Sequence, residues 1–290
     1  MESKKVLNEG YLDVRGGQLW YQVVGTKNNS PILVLSGGPG TPHYYLKSLS
    51  LLGKNRQVVF YDQLGCGKSS HNTDKSLWTM DNLLEHIELL VSALGFDKLT
   101  IFAHSWGSIL AIEYTLKHPE KIISLILESP CISVPKWIED AWAFRRTMSK
   151  KVQETLNQYE LLGQVDWVNY ERAVFECYKK CFCILEPWPQ ELLETAMEVN
   201  QDMHKTMWGI NAFYVTSQLA EYDASDRLSE IKCPTLLTRG TNDIVSLETA
   251  KGYERLIQKA RLVSFENSSH TTHIESPKEY ITALQKFLLS

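Results

Sequence analysis

The sequence predicts an α/β protein: a mainly parallel sheet of about eight strands, interrupted by one long helical insertion. Two observations carry this. Short apolar runs rich in β-branched residues alternate with longer helical patterns, the signature of βαβ units. From residue 133 to about 226 the strand signals stop, and helical periodicity takes over around tryptophans at 137, 142, 167, 188 and 208. At 290 residues the chain is long enough for one large core domain carrying an insertion.

In order, strands are expected at LDV near residue 12, LWYQVVG (19–25), PILVLSG (31–37), VVFYD (58–62), LTIFAHS (99–105), SLILES (124–129), PTLLTRG (234–240) and RLVSFEN (261–267). The Gly16-Gly17 turn joins the first two, which read as antiparallel edge strands. The insertion is broken by EPWPQ, residues 186–190. Helices inserted above strand ends form a lid on a pocket. The expected division is a core of residues 1–132 and 227–290 and a helical cap of 133–226.

With 30 basic residues mixed among 34 acidic ones and a net charge of −4, no basic stripe is present to track nucleic-acid phosphates. The N-terminal MESKKVLNEGYLDV lacks the apolar run of a secretory signal, and no stretch has the apolar length of a membrane span. A cytoplasmic protein is expected, with neither nucleic acid nor membrane as partner. Its 6 cysteines lack the spacing of a disulfide framework, which points to free thiols. Cys177 and Cys181 lie four apart on an expected helix, but with no CxxC pair and no histidine nearby they read as structural thiols rather than metal ligands. No cofactor is expected.

The stretch DQLGCGKSS, residues 62–70, ends like a phosphate-binding loop. Its spacing fails, because the first glycine of that motif would fall on Asp62. A dinucleotide fingerprint fails too, since its third glycine would fall on Ser70.

The strongest local signal is FAHSWGSIL, residues 102–110. An expected strand runs straight into an expected helix, with Ser105 at the corner, Ala103 two before it and Gly107 two after it. A tight strand-to-helix turn needs small flanks and lifts the serine Oγ into the open. The plainer alternative is a helix-capping serine. A serine nucleophile needs a histidine to take its proton and a carboxylate to hold that histidine's tautomer. Asp243 and His270 follow later strands, in the order serine, acid, histidine found in α/β-hydrolases. Glu128 is the rival acid and His273 the rival base. The Trp106 amide and Gly38 of SGGPG (36–40) are the candidate oxyanion donors.

SGGPG, DQLGCGKSS, AHSWGS, the GTND turn and the SSHTTHIE tail together resemble the proline iminopeptidase family of α/β-hydrolases. The resemblance covers nearly the whole chain and is weaker in the helical insertion. It implies an α/β-hydrolase fold and a cofactor-independent serine hydrolase. That enzyme releases the N-terminal residue of a small peptide or amide through an acyl-enzyme. It also makes DQLGCGKSS a structural loop beside the site. Three motif positions depart from the family pattern: Ser36 stands for its histidine, Leu64 for its arginine and Ala103 for its glycine. The resemblance further implies glutamates that hold the substrate's amine, one after the catalytic aspartate and one in the lid. Here those positions are Ile244 and Ala212, the latter within GINAF (209–213), with Phe213 and Trp208 as neighbouring substrate-binding candidates. Glu186, Glu198 and Asp202 are the lid carboxylates that would have to replace the missing pair. The departures bring in an esterase or amidase of neutral substrates as alternative, and a non-catalytic ligand receptor as a further one.

Overall fold

The computed structural model describes residues 6–71, 74–162 and 166–289. The first five residues of the N-terminal stretch read above for a signal lie outside them. In chain order the core begins with β1 (Val6–Val14), β2 (Gly17–Gly25), β3 (Ile32–Leu35), β4 (Gln57–Tyr61), α1 (Met80–Ala93), β5 (Leu99–His104), α2 (Gly107–Lys117) and β6 (Ile122–Glu128). The insertion supplies α3 (Val134–Arg145), α4 (Lys150–Leu162), α5 (Trp167–Cys181), α6 (Gln190–Met197), α7 (Gln201–Met207), β7 (Gly209–Asn211) and β8 (Tyr214–Val215). The core resumes with β9 (Thr235–Gly240), α8 (Leu247–Leu256), β10 (Ala260–Phe265), α9 (Thr272–Glu275) and α10 (Pro277–Leu289).

Eight strands form one sheet in the order β1-β2-β4-β3-β5-β6-β9-β10. All eight expected strands are in it, and from β4 to β10 every pairing is parallel. The expectation of two edge strands needs correcting. β1 is the edge, whereas β2 also pairs antiparallel with β4 through Tyr21–Tyr61 to Gly25–Gln57. Its sequence shows why, since Leu19, Trp20, Val23 and Val24 are buried while β1 is largely exposed.

The central strands are apolar along their whole length because both faces are covered. In β3, Ile32 and Val34 face one layer while Leu33 and Leu35 face the other. The first layer holds Leu46, Leu49 and Leu52 of a 3₁₀ helix (His43–Lys54) and Leu284 and Phe287 of α10. The second holds Ile87 and Leu90 of α1 and Ile109 and Ile112 of α2.

The insertion is not purely helical, as the sequence suggested. A two-stranded hairpin, β7–β8, closes it, and strands of three and two residues are too short for a periodic signal. Its turn is built by Asn211, whose Oδ1 accepts the amides of Phe213 (2.8 Å) and Tyr214 (3.1 Å). Asn211 Nδ2 donates to Tyr170 Oη (2.6 Å), which donates to Glu160 (2.9 Å), and Arg145 pairs with the same buried carboxylate. Burial pushes the Glu160 carboxyl up despite Arg145 beside it. Among the described residues, no helix is long and apolar enough to cross a membrane.

Candidate active site

Parallel strands bring their following loops to one edge of the sheet, and there the polar side chains collect. Ser105 sits between β5 and α2 with φ 54°, left-handed backbone that a non-glycine residue holds only under constraint. Its N–H donates to the Glu128 carbonyl at 2.9 Å. The turn leaves no room at its flank, since a methyl group on Gly107 would lie 2.6 Å from the Ser36 carbonyl oxygen. The residue that caps α2 is Trp106, without a side-chain bond, so Ser105 is not an ordinary capping serine.

After β9, Asp243 accepts from His270 Nδ1 at 2.8 Å and from the Val245 amide at 3.2 Å through the same Oδ1. The two loops meet because Gly240 has no side chain, where a methyl group would lie 2.3 Å from the Ser268 backbone. The rival residues pair with each other: Glu128 accepts from His273 Nδ1 (2.8 Å) and from its amide (3.0 Å). Both pairs are buried.

The His270 loop is also stitched to the insertion. The His270 amide donates to Cys181 O (3.0 Å), and Thr271 donates to Phe182 O through its amide (3.1 Å) and its hydroxyl (2.9 Å). The His270 ring is walled by Phe182 at 5.1 Å and Trp137 at 5.5 Å between ring centres. Trp137 Nε1 donates to the Ala212 carbonyl (2.7 Å), and the Ala212 amide donates to Tyr178 Oη (3.1 Å). Trp137, Phe182 and Tyr178 were not singled out from the sequence. Only the tryptophan clustering of the insertion hinted at them, because their roles come from long-range contacts.

In SGGPG, the Gly37 amide is spent on Tyr45 Oη (2.8 Å). Ser36 Oγ donates to Thr41 O (2.7 Å), and the Gly40 amide donates to Gln63 Oε1 (3.2 Å). Asn200, at the start of α7, donates to Gly40 O from its amide and to Gly65 O from its side chain, each at 2.9 Å. DQLGCGKSS turns inward on its own aspartate. Asp62 accepts from the Lys68 and His43 amides at 2.9 Å, and a methyl group on Gly67 would lie 2.3 Å from its carboxylate. Within the loop the Lys68 amide is thus spent on the Asp62 side chain, and the Gly65, Cys66, Ser69 and Ser70 amides on backbone carbonyls, rather than on a phosphate.

A family model described as the alpha/beta hydrolase fold matches residues 30–277. A proline iminopeptidase of Heyndrickxia coagulans is 38% identical over 285 residues, covering 97% of this chain and 99% of that protein. The chain belongs to the proline iminopeptidase family of α/β-hydrolases. A proline iminopeptidase of Saccharolobus solfataricus is 32% identical over 286 residues, covering 97% and 92%. Among solved structures, VinJ superposes with a TM-score of 0.93 at 29% identity, covering 98% and 99%. The proline iminopeptidase of Mycobacterium smegmatis does so with a TM-score of 0.89 at 28% identity, covering 97% of each chain.

Against that family pattern the departures have clear physical settings. Leu64 is buried beside Leu19 and Leu77, where an arginine would lose its solvation. Ala103 is fully buried in β5. Ile244, Phe213 and Trp208 are buried in one apolar cluster with Trp137, and Ala212 packs against it. Glu186, Glu198 and Asp202 are exposed on the insertion's surface.

Proposed function

We propose that this chain releases the N-terminal residue of a short peptide or small amide, as a serine hydrolase using no cofactor. The carrying observation is the 2.8 Å Asp243–His270 contact at the same sheet edge as the left-handed Ser105 corner. In this reading Asp243 holds the His270 proton on Nδ1, which leaves Nε2 free to take the Ser105 hydroxyl proton. Ser105 Oγ attacks the carbonyl carbon, and the Gly38 and Trp106 amides receive the oxyanion. Commitment of the Gly37 amide to Tyr45 supports Gly38 as the donor of its loop. His270 then passes the proton to the leaving amine, and water, deprotonated by the same nitrogen, hydrolyses the acyl-enzyme. Residues 133–226 act as the cap over this site. Free thiols at all six cysteines fit a cytoplasmic setting.

One observation favours a second reading. The places of the amine-holding glutamates are taken by Ala212 and Ile244 within an apolar cluster, and the candidate substitutes Glu186, Glu198 and Asp202 are exposed. An unpaired ammonium buried there costs several kcal/mol (about 2–7 for a polar group, more for a charge). A neutral acyl group meets no such cost, which describes an esterase or amidase. The deciding experiment measures kcat/KM for free aminoacyl arylamides, their N-acylated forms and short-chain aryl esters. Faster cleavage of the free-amine compounds supports N-terminal release. Faster cleavage of the neutral ones supports the second reading, and failure to react with any of them or with a fluorophosphonate leaves a ligand receptor.

A further inference from the structure

The glycine loop after β3 and the histidine loop after β10 are joined by a string of buried hydrogen bonds through two side chains the mechanism above does not use. The Gly37 amide meets Tyr45 Oη at 2.8 Å, Tyr45 Oη meets His104 Nδ1 at 2.8 Å, and His104 Nε2 meets the His270 carbonyl at 3.0 Å. The ends fix the direction of every bond, since an amide can only donate and a carbonyl can only accept. Tyr45 therefore accepts from Gly37 and donates to His104, and the His104 proton resides on Nε2. Both side chains are buried. Burial pushes the Tyr45 hydroxyl far above its ordinary value, so it keeps the proton it donates. Burial, with His270 and His273 nearby, holds His104 well below its ordinary value, so Nδ1 stays an acceptor.

We propose that Tyr45 and His104 are positioning residues that hold the oxyanion loop and the His270 loop in a single register. The inference rests on the hydrolase reading given above. Two further contacts support it. Ser129 Oγ also donates to the His270 carbonyl (2.9 Å), filling its second lone pair, and His273 Nε2 donates to the Tyr45 carbonyl (3.1 Å). The string also runs directly beside the nucleophile. A methyl group on Gly37 would lie 3.1 Å from His104 Nδ1, 3.2 Å from Tyr45 Oη and 3.4 Å from Ser105 Cβ. A bond row this close to the reacting atoms sets their separation, to which rates are steeply sensitive.

Tyr45→Phe removes one oxygen from the middle of the string, and His104→Asn keeps an acceptor toward Tyr45 while withdrawing the donor from His270. The probes are a fluorophosphonate, read as the labelling rate of Ser105, and p-nitrophenyl acetate, read as kcat and KM, each beside the melting temperature. Each variant is expected to label roughly tenfold more slowly and to lose kcat with KM held within about twofold. The double variant is expected to be no slower than the slower single one, because the string acts as a unit. Wild-type labelling by Tyr45→Phe, losses that multiply in the double variant, or losses confined to KM or melting temperature would overturn the proposal. A wild-type protein that does not label at all sinks the hydrolase reading and takes the positioning role with it.

Discussion

Glu128 and His273 form a second buried carboxylate–imidazole pair, 2.8 Å apart, one loop away from the Asp243–His270 pair at the same separation. The two differ in what lies beyond the ring. His273 Nε2 is occupied by the Tyr45 carbonyl, whereas His270 faces the aromatic wall at the Ser105 corner. Asp243→Asn is therefore expected to lower kcat by about 10⁴ with little change in melting temperature, because it spoils the histidine tautomer. Glu128→Gln is expected to cost stability first, about 1–3 kcal/mol, since it disturbs a buried carboxylate that accepts from both the ring and the amide of His273. Parallel urea melts and turnover per folded molecule check the ranking. The reverse order would reassign the acid.

Ala212→Glu is expected to raise the preference for free-amine over N-acylated arylamides by roughly tenfold, the value of one charge-assisted contact. Ala212 is half-buried while Ile244 is fully buried, so Ile244→Glu should cost more stability for the same shift. The ratio of kcat/KM between the paired substrates is the readout. An unchanged ratio in a folded Ala212→Glu protein would remove this position from the amine's surroundings.

Arg145→Met leaves the Glu160 carboxylate buried without its cation, an expected loss of about 3–5 kcal/mol. Glu160 supports Tyr170, and Tyr170 supports Asn211, so the loosening should reach the β7–β8 turn. Hydrogen exchange should report it as faster exchange of the Phe213 and Tyr214 amides relative to those of β5.

His86 is buried on α1, and neither ring nitrogen has a hydrogen-bond partner among the described residues. Burial lowers its pKa from 6.5 to about 4. The unfolded chain thus binds this proton from about pH 6.5 downward while the folded protein resists until about pH 4. Stability is fully present above pH 6.5 and falls as pH drops through that window, by about 3 kcal/mol in all. His104, also held low by burial, acts with the same sign. His86→Leu should flatten the slope of unfolding free energy between pH 7 and 5. A slope equal to that of the unchanged protein would rule out His86 as its source.

The strands were legible in the sequence because β-branched apolar runs such as ILVL and TLLTRG have few other ways to be buried. Ser105, Asp243 and His270 were legible as candidates because each follows such a run. The edge assignment of β2 failed because a turn reports which strands are joined and says nothing of a third partner. The hairpin at 209–215 escaped because its strands are too short for a periodic signal, and because Asn211, which makes the turn, is itself held by Tyr170, 41 positions away, of which the local sequence carries no trace. Tyr45 and His104 escaped for the same reason. Each looks like an ordinary apolar-layer residue until the Gly37 and His270 loops close over it.

The bonds from Cys181 and Phe182 to the His270 loop, and from Asn200 to Gly40, make the insertion a bracket rather than a hinged cover. It is bonded to the His270 loop on one side and to the glycine loop on the other. Swinging it outward would strip the backbone supports from the groups it shelters. Bulky substrates should therefore be penalised in kcat as well as in binding, because the deformation that admits them also disturbs the base and the oxyanion donors. A homologous series of acyl chains of increasing size checks this, with loss in KM alone as the contrary result. Under the proposed mechanism, substrate size is measured by the catalytic groups themselves.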